Sequence, residues 1–161
     1  MTEILEKTEQ NYEGEHNVPL RGYARILGAY GGTVAVAATV SMLAGRRVPD
    51  HVGVMDLLLM AACTHKVSRV LSKDPVTSPL RAPFTRYEGQ GGPAEVDEAP
   101  RGSVGELLAC PFCLAQWVAT AYAAGLVLAP KVTRIVGATM TAVAISDWLQ
   151  LAYAKLMKSA G

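Results

Sequence analysis

Charge is missing from two long stretches of this chain. Residues 26–45 and 107–130, 20 and 24 residues long, hold no Asp, Glu, Lys or Arg. At about 1.5 Å rise per residue, roughly 20 apolar residues carry a helix across a bilayer core, so each stretch is long enough for one crossing. An excess of charge of either sign is missing too: the net charge is +1, which removes any general electrostatic case for nucleic acid. Histidine is scarce, with three at positions 16, 51 and 65, so a catalytic triad has few candidates. There is no Gly-rich phosphate loop, no HExxH zinc helix and no nucleophile elbow, which excludes the kinase and hydrolase signatures. The start of the chain, with Glu3, Glu6, Glu9, Glu13 and Glu15, lacks the basic region that opens a secretory signal.

What is present is strongly segregated. Half of the residues are hydrophobic, yet the mean hydropathy is only +0.22, because charge crowds into the first 25 residues and the 72–106 loop. Arg25 and the pair Arg46, Arg47 bracket the first uncharged stretch, and Lys131 closes the second. Residues 1–20 read as an acidic disordered segment, followed by a short basic lead-in and an uncleaved anchor. Two further segments are marginal spans. One is 52–71, opened by Pro49 and Asp50 and stopped by Lys73-Asp74-Pro75. The other is 135–154, interrupted by Asp147 and Gln150 and followed by Lys155 and Lys158.

Four crossings is the economical reading. The expected fold is all-α: a 21–161 integral membrane bundle of about four helices at 26–45, 52–71, 107–130 and 135–154, with a Pro/Gly-rich loop at 72–106. The alternative is a soluble bundle whose buried helices are apolar all round. With both termini inside, the inner segments carry eleven Lys and Arg against four outside, which favours a bacterial inner-membrane protein with cytoplasmic termini and loop. Small-residue ladders, Ala24-Gly28-Gly32, Ala115-Ala119-Ala123 and Ala138-Ala142-Ser146, suit close helix packing within the chain or in a homo-oligomer. In the loop, three prolines between Lys73 and Tyr87 exclude a regular helix, and Glu88 to Arg101 reads as a flexible linker. Ser103-Val104-Gly105-Glu106 has capping-box spacing, so the third helix is expected to begin near Ser103.

Cys110-Pro111-Phe112-Cys113 is the chemically suggestive element. A helix start favours the thiolate, and one turn brings two sulfurs near bridging distance. No strand pattern precedes the pair, as a redox motif normally requires, so structural packing is the favoured reading over thiol redox or metal. A kink at Pro111 is expected. Adding Cys63 to Cys110 and Cys113 would make a three-cysteine zinc or iron site. His65 is about 200° round the helix from Cys63 and cannot join it without unwinding. No cofactor is otherwise expected.

Intramembrane charge supplies a second constellation. Asp56 and Asp147 lie inside the marginal spans, where a carboxylate usually faces the bundle interior. Asp147 is placed within reach of Arg69 or His65, and Asp56 near Arg134 and Lys131. Structural pairing is favoured over an ion or proton pathway, which would want the acids at matching depths. His65, Arg69 and Lys73 recur every fourth residue and share a helix face.

Three strings carry a resemblance: Asp56-Leu57-Leu58-Leu59; Thr64-His65-Lys66-Val67-Ser68-Arg69; and Lys73 through Thr85, with its Pro79-Leu80-Arg81-Ala82-Pro83-Phe84 core. With Gly105-Glu106-Leu107-Leu108, the Cys110/Cys113 pair and Trp117, the chain resembles a bacterial membrane-protein family of unknown function that includes the sporulation protein YjcA. The resemblance spans roughly residues 52–154 and implies a small multi-pass membrane protein, with no established activity. The acidic N-terminal extension and the longer linker after Tyr87 depart from the pattern, and no role in sporulation is carried over. The expected function is structural or accessory. Its working surface would be a cytoplasmic face of His65, Lys66, Arg69, Arg81, Phe84, Arg86 and the Cys110/Cys113 turn, binding anionic lipid headgroups or a partner protein.

Overall fold

A computed structural model describes Tyr12 and residues 19–160, so the acidic segment expected over residues 1–20 lies almost wholly outside the described residues. Helix α1, Leu20–Leu43, starts after Pro19. It ends in a Schellman turn: Gly45 at φ +62° donates to the Met42 carbonyl and Arg46 to the Ser41 carbonyl, each close to 3 Å. Helix α2, Val54–Lys73, stops where Asp74 turns extended ahead of Pro75.

The expected unstructured loop is an ordered cap. A 3₁₀ turn at Pro75–Thr77 leads into the four-residue helix α3, Ser78–Arg81, and each begins with a proline in its first turn, where no N–H is needed. Those prolines exclude a long helix but start two short ones. Residues expected to be a flexible linker form an antiparallel hairpin, β1 Thr85–Gly92 with β2 Glu95–Pro100, joined at Pro93-Ala94. The purely helical class is corrected accordingly: the fold is mostly helical with one small sheet. Alternation along β2 turns Val96 and Glu98 inward, and that buried face holds the hairpin on α3.

Helix α4, Gly102–Ala109, begins within a residue of the start expected near Ser103, but its N-cap is Arg101 and no side chain caps it, so the capping box does not form. The chain then breaks at Cys110, which is extended, and α5, Pro111–Leu128, begins on the proline. What was expected as one kinked helix is two helices. Gly105 allows the α4 turn to sit on the hairpin base, since a Cβ there would lie 2.2 Å from the Phe84 carbonyl oxygen. Helix α6, Pro130–Ala160, has 31 residues and is about 46 Å long, well beyond the expected 135–154.

Among the described residues, three helices are long and apolar enough to cross a membrane: Leu20–Leu43, Pro111–Leu128 and Pro130–Ser159. The fourth expected span, α2, has the length but carries Asp56, Lys66, Arg69 and Lys73. Its position explains its polarity, for α2 is the hub that packs against both α5 and α6. Its buried residues are Cys63, Ser68 and Ser72, while Val54, Met55, Leu57 and Leu58 face outward. The same inversion holds elsewhere, because none of the apolar window of α1, and only 11 % of those of α5 and α6, is buried within the chain. Helix α1 leans on α4 and α5, joined by a Tyr30–Gln116–Thr120 hydroxyl–amide cluster and an edge-on contact of Tyr30 with Trp117 at 5.3 Å. Among the described residues nothing lies within 4 Å of a Cβ built on Gly28 or Gly32, so that ladder joins none of the described helices.

Candidate functional site

The ion pairs fix how the helices run. Asp56 near the start of α2 accepts two hydrogen bonds from Arg134 near the start of α6, both at 2.8 Å. Ten residues on, Lys66 donates to Asp147 at 2.6 Å. Helices α2 and α6 are therefore parallel, and their C-terminal ends lie together with the cap, the start of α1 and the start of α5. Asp147, expected to reach Arg69 or His65, is held by Lys66 instead.

The cap is organised around Arg81, which is 1 % exposed. Its Nε donates to Glu98 Oε2 at 2.9 Å and its Nη2 to Glu98 Oε1 at 3.0 Å. Nη1 donates to the Leu71 carbonyl at 2.7 Å and Thr77 Oγ1 at 2.6 Å; Nη2 also reaches the Asp74 carbonyl and Ser78 Oγ, each at 3.1 Å. All five guanidinium N–H donors are thus engaged. Thr85 and Ser78 hydroxyls donate to the two Glu98 oxygens at 2.9 Å. The Arg81 guanidinium holds the Glu98 carboxyl below its ordinary range, helped by those hydroxyls and opposed by burial. Arg81 was expected on the exposed face. It is instead the post around which the Lys73–Thr85 string winds, tying the end of α2 to β2.

Beside the cap, the C-terminal half of α2 and α6 enclose a cleft of about 530 Å³, roofed by the hairpin tip. His65, Arg69 and Lys73 line it from α2, as their spacing predicts, with Asp147 and Trp148 opposite. The His65 ring sits 5.9 Å from that of Trp148. Arg69 is ion-paired with Glu95 at the tip, so the cleft is close to neutral rather than basic. Arg86 is likewise taken up by Glu88 at 2.7 Å, and Phe84 is exposed beside it. Sequence reasoning missed Glu95 and Glu98 as partners; within a Gly, Pro and acid stretch nothing distinguishes them from Glu88 or Asp97.

The third locus is the break between α4 and α5. Cys110 caps α5, its Sγ accepting the Cys113 backbone N–H at 3.3 Å, and the two sulfurs stand 2.6 Å apart. Cys113 is exposed, Cys110 half-buried, and Cys63 lies buried in α2. Among the described residues no three His, Cys, Asp or Glu side chains converge as a metal-ligand set, so Cys63 does not complete a three-cysteine site. Glu106, expected in a capping box, accepts the Tyr23 hydroxyl at 2.5 Å.

These features define a class: a small helical bundle with apolar outer surfaces, a polar hub helix and a hairpin cap locked by a buried ion pair. The chain belongs to a family of proteins of unknown function (DUF1360), whose model matches residues 58–153. That match takes in α2 from Leu58 through most of α6, with the whole cap and the cysteine pair, and leaves α1 outside it. No curated protein and no solved structure gives a significant match.

Proposed function

We propose that the chain is a multi-pass protein of the bacterial inner membrane with a structural or accessory role, its cap and both termini on the cytoplasmic side. Three span-length apolar helices support the membrane placement. A fourth crossing by α2 is supported by its length and by the pairing of Asp56 and Lys66 with bases and acids of α6. The eleven-to-four bias of Lys and Arg supports the orientation. Kinship with the sporulation protein YjcA belongs to this reading at the level of architecture only.

One observation carries the functional part. Among the described residues eight Lys and Arg take part in no ion pair: three, Arg46, Arg47 and Lys131, stand at the end of the bundle opposite the cap, and five, Arg25, Lys73, Arg101, Lys155 and Lys158, at the cap end. A juxtamembrane cation gains about 1 kcal/mol beside an anionic leaflet, so this collar suits acidic lipid headgroups. The working face is therefore the unpaired collar, rather than Lys66, Arg69, Arg81 and Arg86, which are neutralised within the chain. The test is thermal stability in nanodiscs of zwitterionic lipid with and without phosphatidylglycerol. Anionic lipid should stabilise the protein, and Lys73→Gln with Arg101→Gln and Lys155→Gln should erase most of the gain. Equal stability in both lipids removes the headgroup reading, and a crosslinked neighbour through the collar would assign it to a partner protein. A small ion or proton transporter is less well supported, since Asp56 and Asp147 are each held by a base.

A further inference from the structure

The cysteine pair has a geometry that packing does not require. Cys113 points outward and Phe112, between the two cysteines, is 87 % exposed, so this turn is not filling a core. Cys110 occupies the N-cap of an 18-residue helix, and Pro111 at the first position leaves the next free N–H groups to the ligand of that cap. The ligand is the Cys110 sulfur, which receives the Cys113 N–H. That sulfur sits at the helix N-terminus with a backbone donor aimed at it. The second sulfur faces it directly.

We propose that Cys110 and Cys113 form a thiol–disulfide exchange site, with Cys110 as the attacking sulfur and Cys113 as the resolving one. The substrate class is a disulfide, on a small molecule or on a partner protein. Cys110 gives its proton to water and its thiolate attacks one sulfur of the partner disulfide. A mixed disulfide forms, and the departing partner thiolate takes up a proton. Cys113, deprotonated in turn, attacks Cys110, closing the intramolecular disulfide and releasing the second partner thiolate, which is protonated. Two electrons and two protons pass from the cysteine pair to the partner, and the reverse reaction reduces the pair. Cys63, buried in α2, takes no part. The site goes beyond the lipid-collar reading and does not depend on it.

The test uses the full-length protein in native membranes and in nanodiscs, poised in mixtures of oxidised and reduced glutathione, with alkylation and mass measurement of each cysteine. The wild type should pass between a dithiol and a Cys110–Cys113 disulfide, while Cys63 stays unchanged. Serine is itself a good N-cap, so Cys110→Ser keeps the helix start intact. Cys113→Ser should accumulate a glutathione adduct on Cys110 at least tenfold more than Cys110→Ser accumulates one on Cys113. Protein-sized adducts on Cys113→Ser in cells would identify a protein disulfide as the source, and glutathione adducts alone a small one. A wild-type pair that stays dithiol across the whole glutathione range overturns the site. The reverse asymmetry overturns the assignment of Cys110 as attacking sulfur.

Discussion

Arg81 and Glu98 meet side by side, two parallel hydrogen bonds of 2.9 and 3.0 Å joining a guanidinium and a carboxylate that are almost wholly shielded. Seventeen residues separate them in sequence, and the hairpin is what brings them together. The pair closes a ring through the end of α2, the 3₁₀ turn, α3 and β2. This interior pair, with the strand ladder and buried Val96, anchors an otherwise linker-like Gly, Pro and acid segment.

Removing either partner leaves the other charge buried. Arg81→Met or Glu98→Leu alone should cost about 3–5 kcal/mol of cap stability, whereas replacing both should cost much less than the sum. Amide hydrogen exchange across residues 85–100 reads this directly. Additive losses would mean that the two residues do not act as a pair.

The same contact sets an acid limit. An unfolded Glu titrates at roughly 4.3, and in the folded cap Arg81 holds Glu98 lower. The folded state therefore binds fewer protons, and this stabilisation is fully present above the unfolded value. It fades as pH falls through the lower, folded one. Hairpin exchange should stay slow down to about pH 4 and accelerate below it. Glu98→Gln should flatten that acid limb; an unchanged pH profile in the variant would assign the limb to other carboxylates.

The sequence revealed length and greasiness well and partnership poorly. Uncharged runs located α1 and α5 because a helix that is apolar on nearly every face shows in the hydropathy of its own residues, whatever packs against it. The four-residue recurrence of His65, Arg69 and Lys73 placed them on one cleft wall because helical period is local. The hairpin escaped, since Thr85 to Pro100 has little β-branched content and its order comes from a non-local contact with Arg81. Arg81 itself was misplaced for the same reason: a lone Arg among prolines is exposed unless an acid far along the chain folds back onto it. The break at Cys110 was legible only as a kink, because Pro111 starts a helix as readily as it bends one.

Lys66 and Asp147 offer a test of α2 as a crossing helix. Their bond, at 2.6 Å, lies between two helices that we place in lipid. Lys66→Met or Asp147→Leu alone strands a charge in a medium that solvates it badly, and should lower the yield of inserted, monodisperse protein several-fold. The double variant should recover most of that yield. If the single variants insert as well as wild type, this end of α2 lies in water.

Tyr122 and Gly137 supply the last prediction. The Tyr122 hydroxyl is buried between α5 and α6 without a hydrogen-bond partner among the described residues, and a Cβ on Gly137 would come within 2.2 Å of it. Removing an unpaired buried hydroxyl relieves a desolvation cost of about 1–3 kcal/mol, so Tyr122→Phe should be neutral or stabilising. Gly137→Ala has no space and should destabilise by about 1–3 kcal/mol, the usual cost of overpacking. Combined with Tyr122→Phe, Gly137→Ala loses its nearest clash, and the double variant should be more stable than Gly137→Ala alone. Thermal unfolding of the four proteins in one detergent measures the cycle. A Tyr122→Phe variant clearly less stable than wild type would mean that the hydroxyl has a partner, with a bound water as the first candidate.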